Sequence, residues 1–412
     1  MARSLRLGRA AVEAGSGHML GRLGLRRSSR GDAEPGRILV SALLELRGAA
    51  FKVAQFLALE DDLLKDPVAR ELVGCGHRTP PIGPELARHL LGSEVGPIEG
   101  HFTSFDPVPF AAASLGQVHA AVTRDGLEVA VKIQYPGIEE TVRSDLRLLR
   151  RAVGMFPQGI HYAHLLAEVE TRLLEECDYE QEAEGLAWFA ERIDLEGVAI
   201  PKPFPALSGP TVLTTERLAG RDLDAWLRTR PCQSERDRAA QRLYDVFAQS
   251  LHLHGRIHAD PNPANFRFES DGRIGVLDFG CTRWIPPDCE SLIRRVWRSA
   301  IADDDEAAHR VYLDMGLFAH LSAEDAREVD RTSLKPFRDW LAIPFRAERH
   351  DFGADPEFVT EGRRRFFRML RDNALVGIRP EFVLVNRTLY GLYRIFGRLR
   401  ARVRCRTSWT SG

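Results

Sequence analysis

The segment His258-Ala259-Asp260-Pro261-Asn262-Pro263-Ala264-Asn265, with Leu277-Asp278-Phe279-Gly280 following it, constrains this chain more than any other feature. The first string has the form H-x-D-x-x-x-x-N, and Asp278 stands thirteen residues beyond Asn265. Two loops that carry carboxylate and amide oxygens at fixed spacing need a scaffold that brings them together. Phosphoryl transfer asks little covalent work of a protein, but it requires a triphosphate to be neutralised and aligned. Mg²⁺ takes a few hard oxygen ligands and keeps its other positions for water and phosphate. Asp278 and Asn265 are therefore expected to bind metal, and Asp260 to accept or orient an incoming hydroxyl. A turn rich in Asn and Pro, with no chemistry, could use the same residue types, but it would not require their joint spacing.

Upstream, apolar alternation on either side of Arg124-Asp125-Gly126 predicts a β-hairpin whose second strand ends in Val129-Ala130-Val131-Lys132. A lysine so placed can reach phosphates if a carboxylate fixes its orientation. Only five of the 57 basic residues are lysine (Lys52, Lys65, Lys132, Lys202 and Lys335), so lysine here is sparingly used. Its compact ammonium is not interchangeable with the arginine fork. The acidic partner is expected on the helical stretch from His164 to Phe189, where Leu165, Leu166, Val169, Leu173 and Leu174 mark a buried face. Glu175, Glu176, Asp178, Glu180, Glu182 and Glu184 crowd the rest, and composition alone does not choose among them; Glu175, Glu180 and Glu184 read as a solvated face. Before the hairpin lies Ala111-Ala112-Ala113-Ser114, where a phosphate-wrapping loop would carry glycines. Alanine resists positive φ, so this loop cannot wrap phosphates as a glycine loop does. The alternative is a buried, tightly packed turn.

A chain of 412 residues exceeds one typical core. Its 57 basic and 58 acidic residues nearly cancel, which argues against a nucleic-acid binder working through an overall positive field. The six cysteines form no C-x-x-C pair, so neither a zinc site nor a disulfide framework is expected. No apolar run is long enough for a transmembrane helix. Seven arginines and one acid, Glu13, occupy the first 30 residues, as in a solvated tail, a transit peptide or a membrane-surface helix.

The expected order is an Arg-rich segment over 1–36, a helical extension over 37–100, a β-rich lobe over 101–218, a helical lobe over 219–345 and a helical extension over 346–412, with the last nine residues frayed. Beyond Pro136 a long helical region, rich in Leu, Arg and Glu, is expected to about Ile193. This order predicts an α+β, two-lobed, protein-kinase-like fold.

Four blocks carry a family likeness. RGAAFKVAQFLALEDD (47–62), PFAAASLGQVHAA (109–121), EECDYEQEA (175–183) and HADPNPANF with LDFG together resemble the UbiB/AarF atypical kinases, the family associated with ubiquinone biosynthesis. The resemblance implies ATP or ADP and Mg²⁺ as cofactors, Glu182 as the partner of Lys132, and Glu176 and Asp178 as the acids of an E-x-D element. It places Lys52 and Gln55 on a helix folded over the nucleotide site, and a hinge under the adenine at Thr215–Leu218, including Glu216 and Leu218. Ala111 to Ser114 would be its alanine-rich nucleotide loop. Ala54, Asn262 and Ala264 depart from the family's usual Gly, His and Gly, which bears on the fine positioning of the covering helix and catalytic loop.

No A-P-E string follows Gly280, so an ordinary protein kinase is not expected. The resemblance implies an ATPase or small-molecule kinase supporting quinone biosynthesis, with quinone-pathway lipids or enzymes and a membrane surface as partners. It would be cytoplasmic and peripheral at the inner membrane, or mitochondrial if the first segment is a transit peptide. A nucleotide-sensing pseudokinase and an aminoglycoside-type phosphotransferase remain the alternatives.

Overall fold

A computed structural model describes residues 81–407 and 409, apart from 114, 154–169, 171–172 and 371–378. The expected helix over 37–64 with Lys52 and Gln55, the arginine-rich start and Ser114 lie outside the described residues. The chain divides into two compact units. One takes the described residues up to Ala183 together with Pro203–Arg217, and the other takes Glu184–Lys202 and everything from Leu218.

In the first unit, helix α1 (Pro84–Val95) starts with proline at its first position, where a missing N–H costs nothing. A short helix α2 (Ile98–His101) then feeds strand β1 (Phe102–Phe105), followed by β2 (Ala111–Ala112), β3 (Gly116–Thr123) and β4 (Glu128–Gln134). Helix α3 (Ile138–Val153) and the start of α4 (Tyr179–Arg192) precede β6 (Val212–Glu216), with the short strand β5 (Val198–Ala199) between them in sequence. The antiparallel sheet runs β1-β3-β4-β6, with β2 added to β3. The expected hairpin is there, with Lys132 opposite Val118 and Gly126 in the turn at φ 81°.

Strand alternation sends successive side chains to opposite faces. Val129, Val131 and Ile133 are fully buried in a cluster with Ala87 and Leu91 of α1. Lys132, between them, must leave by the other face. His119 lies inside the unit. Its Nδ1–H donates to Asp106 O at 2.8 Å, and its Nε2 accepts from Gln117 Nε2 at 2.8 Å. Burial holds this imidazole below its ordinary pKa, so it is neutral when folded. The unfolded chain then binds the extra proton, and stability falls as pH drops through the unfolded value near 6.5 toward the folded one. His119→Gln is expected to flatten the pH 5–7 dependence of thermal unfolding by at most about 1.4 kcal/mol per pH unit. An unchanged slope would show that His119 takes no part.

The second unit is built round α6 (Gln233–His254), which follows the short α5 (Leu223–Arg228). Gly255 ends α6 in the left-handed region at φ 61° and donates to Leu251 O, a glycine C-terminal cap. Strand β7 (Arg256–His258) pairs antiparallel with β10 (Thr282–Trp284). Strand β8 (Phe266–Phe268) pairs with β9 (Ile274–Val276), and β5 joins β9 in parallel. Helices α7 (Pro287–Ile301), α8 (Asp305–Asp314), α9 (Ala323–Val329) and α10 (Lys335–Arg346) follow, with a π-helical turn at Asp330–Leu334. Then come β11 (His350–Asp351), α11 (Phe358–Leu370), α12 (Pro380–Leu399) and β12 (Arg402–Val403).

Four expectations need correction. The helical region from Pro136 to Ile193 is interrupted, because a turn at Glu176–Cys177 separates α4 from what precedes it. Residues 184–202 do not group with the β-rich lobe; Leu186, Phe189 and Ile193 enter the second unit's core and β5 pairs with β9. The C-terminal extension is not wholly helical, since β11 and β12 pair within it. Nor are residues 404–407 frayed. Cys405 is fully buried, and Tyr244 Oη donates to its carbonyl at 2.5 Å.

Candidate active site

In the first unit, Lys132 Nζ donates to both carboxylate oxygens of Glu182, at 2.7 and 3.0 Å. The lysine side chain is 18% exposed and the glutamate 7%, so the pair is largely withdrawn from water. The ammonium also lies 4.7 Å from the centroid of the Tyr179 ring, a cation–π contact. The chain places Glu182 by fixing the start of α4. Asp178 Oδ1 accepts from Gln181 N at 2.9 Å, as an N-terminal cap does. Gln134 Nε2, two residues past Lys132 on β4, donates to Cys177 O at 2.8 Å and ties the preceding turn to the sheet. Asp178 is thus an exposed cap, and Glu176 beside it is half-buried. Glu180 and Glu184 are solvated as expected, whereas Glu175 is half-buried.

The alanine loop forms no glycine-like wrap. Ala111 and Ala112 pair with Val118 and Gln117, and Ala113 N donates to Gly116 O at 3.0 Å. None of the three alanines has positive φ. The alternative of a buried turn does not hold either, because Ala112 is exposed and its neighbours are half-buried. Gly116 is needed for close approach, since a Cβ there would stand 2.4 Å from Ile133 O. Glu216 pairs with Val129 at the end of β6. Leu218 belongs to the second unit, where its Cδ1 lies over Gly275, 2.9 Å from where a Cβ would sit.

In the second unit, the loop between β7 and β8 carries Asp260 and Asn265. Asn265, 7% exposed, donates through Nδ2 to Asp260 Oδ2 at 2.8 Å and to Asp260 O at 3.2 Å. With its nitrogen so engaged, the amide oxygen of Asn265 is left as the acceptor. Leu277 N donates to Asn265 O at 2.7 Å, which joins this loop to the one bearing Asp278. His258 Nε2 sits 2.7 Å from Asp278 O, so its N–H donates to that carbonyl. Phe279, fully buried, packs 4.9 Å from the Phe189 ring and 5.1 Å from the His258 ring. Between these anchors Asp278 adopts φ 56°, a left-handed conformation uncommon for a residue with a side chain. Such backbone persists where its surroundings over-determine it. Asp260, Asn265 and Asp278 thus stand on two loops that hydrogen bonds join within one unit.

The two departures in this loop have local explanations. Asn262 Oδ1 accepts from Ala264 N at 3.1 Å and caps the turn Pro263–Asn265. Ala264 keeps negative φ, so no glycine is required there. After Gly280 the chain passes Cys281, forms β10 and enters α7 at Pro287, which leaves room for only a very short segment.

Sequence reasoning gave no role to His258, Tyr179, Gln134 or Arg267. The first two stand inside quoted motifs, which was the available signal. Arg267 sits two residues past Asn265 with Gly220 and Gly275 against its stem, where Cβ atoms would lie 3.1 and 3.3 Å from its own. Burial pulls its guanidinium below the ordinary value, against the opposing charge of Asp222.

An antiparallel sheet with a lysine–glutamate pair, and a helical unit whose H-x-D-x-x-x-x-N and D-F-G loops are hydrogen-bonded together, define a protein-kinase-like protein. More narrowly, the chain belongs to the ABC1 atypical kinase-like domain family, whose pattern matches residues 76–325. It is 28% identical over 378 residues to a Caenorhabditis elegans protein named atypical kinase coq-8, mitochondrial, covering 89% of this chain and 49% of that one. Against atypical kinase COQ8, mitochondrial, of Saccharomyces cerevisiae the identity is 26%, covering 88% of this chain and 72% of that one. Against atypical kinase COQ8B, mitochondrial, of Rattus norvegicus it is 30%, covering 89% and 70%. The chain therefore spans about half the length of the first of these relatives. Among solved structures, the Rv3197–erythromycin complex from Mycobacterium tuberculosis matches with a TM-score of 0.62 at 25% identity, over 87% of this chain and 90% of that one.

Proposed function

We propose that the chain is an ATP-dependent atypical kinase or ATPase that supports ubiquinone biosynthesis. The observation that carries this reading is the hydrogen-bonded assembly of Asp260, Asn265, His258 and Asp278. The donor set fits Mg²⁺: the Asp278 carboxylate and the amide oxygen of Asn265 are hard oxygens, and the amide nitrogen is held away on Asp260. Bound there, Mg²⁺ would neutralise phosphate charge. Asp260 takes or orients the proton of the incoming hydroxyl or water. Lys132, aligned by Glu182, draws on the nucleotide's phosphates, while Ala111 to Ser114, Glu216 and Leu218 contact the nucleotide.

Lys52 and Gln55 belong, on this reading, to the helix that covers the nucleotide, and Glu176 to the E-x-D element next to the cap Asp178. The names of these three relatives, atypical kinases called coq-8, COQ8 and COQ8B and mitochondrial, support a quinone-pathway role, and the family resemblance adds a membrane surface as partner. Among the described residues no helix is long and apolar enough to cross a membrane. The short stretch after Gly280 speaks against docking of protein substrates.

Purified full-length chain tests this directly. Steady, Mg²⁺-dependent phosphate release from ATP is expected, and EDTA should abolish it. ATP binding without release would instead support a nucleotide sensor, and phosphorylation of a soluble aminoglycoside would support the third reading. Quinone levels unchanged on deletion of the gene would remove the pathway assignment and leave the nucleotide chemistry standing.

A further inference from the structure

Helix α12 lies outside the family match over 76–325, yet it packs on the loop that carries Asp260. The contact is Gly391 against Pro261. A Cβ at Gly391 would fall 2.2 Å from Pro261 Cγ and 3.0 Å from its Cβ. Non-bonded carbons settle at about 3.5–4.0 Å, so one of the two elements would have to move.

Neither is free to do so. The proline ring fixes φ, and the loop around it is tied by Asn265 N to Asn262 O at 2.9 Å and by the Asn265–Asp260 bond at 2.8 Å. Along α12, Val385, Leu389, Tyr393 and Phe396 are fully buried. Tyr393 Oη donates to Leu341 O at 3.1 Å, and Trp297 Nε1 donates to Asn386 Oδ1 at 3.3 Å. Gly391 also lacks the usual conformational reason for glycine, since it sits mid-helix without positive φ. A mid-helix glycine weakens a helix relative to alanine. What glycine supplies at 391 is close approach to Pro261.

We propose that Gly391 is a positioning residue: it seats Pro261, and through Pro261 the neighbouring Asp260 carboxylate, so that α12 forms part of the catalytic scaffold. This rests on the role given to Asp260 above. A displacement of about 1 Å at a reacting group can cost on the order of 100-fold in rate.

The test uses the full chain with Gly391→Ala, Pro261→Ala and the double variant. Gly391→Ala is expected to lower kcat by about 10- to 100-fold, with ATP affinity within about twofold, and to speed amide exchange across residues 259–265. Pro261→Ala opens a gap from the other side of the contact and should lower kcat several-fold in a folded protein, even if Gly391→Ala folds poorly. The double variant, which trades the clash for the vacated ring, should regain most of the turnover and protection. Unchanged exchange and unchanged turnover per folded molecule in both single variants would overturn the proposal, as would a double variant no better than Gly391→Ala. No hydrolysis by the wild type would instead overturn the enzymatic reading, while the exchange pattern would still decide whether Gly391 seats the loop.

Discussion

Asp278→Asn is expected to cut ATP turnover by about 100- to 1000-fold, the range for removing one preorganised charge contact, while leaving the fold intact. The substitution removes the charge and keeps the side chain's shape and the backbone bonds of the loop. Asp278 sits at φ 56°, and asparagine is among the few residues that tolerate that region. The bond from His258 goes to the backbone carbonyl at 2.7 Å, and Gly280 N approaches Oδ1, an atom asparagine also has. Thermal unfolding should therefore shift by no more than about 0.5 kcal/mol. Asp278→Ala should lose the activity and also add backbone strain of about 1–2 kcal/mol. Near-normal phosphate release by Asp278→Asn, with Mg²⁺ present, would remove Asp278 from the chemistry.

The loops that matter most for this prediction were legible in the sequence because their logic is local. H-x-D-x-x-x-x-N and D-F-G each fit within one loop, and the alternation of Val129, Ala130, Val131 and Lys132 already sends the lysine away from the buried valines. The choice among the acids from Glu175 to Glu184 was not legible from composition. It depends on a pairing across fifty residues of chain, and the resemblance, not the pattern of charges, pointed to Glu182. Asp178 shows the same limit from the other side, as a conspicuous acid whose visible work is to cap the helix that carries Glu182.

Where the reading failed, the deciding contacts were distant or the elements too short to show a period. Two-residue strands such as β5 and β11 cannot alternate visibly, and each exists because a partner lies far along the chain. Cys405 looked like part of a loose end because nothing near it announces Tyr244. The role proposed for Gly391 has the same character. A glycine inside a helix reads as a small weakness until Pro261 is seen against it.

The second large effect is expected at the Lys132–Glu182 pair, where stability and activity should separate. Glu182→Gln removes a carboxylate whose two oxygens both accept from an ammonium only 18% exposed. The cost should be about 1.5–3 kcal/mol, typical of hydrogen bonds to charged groups. It stays below the roughly 3–5 kcal/mol of a fully enclosed pair because water reaches part of the lysine. Lys132→Met/Glu182→Met removes both charges, so it should recover much of that stability in urea unfolding, and the cycle should give a coupling of about 0.5–3 kcal/mol. Turnover should not recover, because the group that draws on the phosphates is gone; a loss of about 100- to 1000-fold is expected for Lys132→Met alone and for the double variant. Lys132→Arg should remain inactive as well, since a planar fork does not reproduce a compact ammonium held by Glu182 and seated 4.7 Å from the Tyr179 ring. A double variant that regained both stability and hydrolysis would show the pair to be a structural fastening, and would move the phosphate contact to another cation.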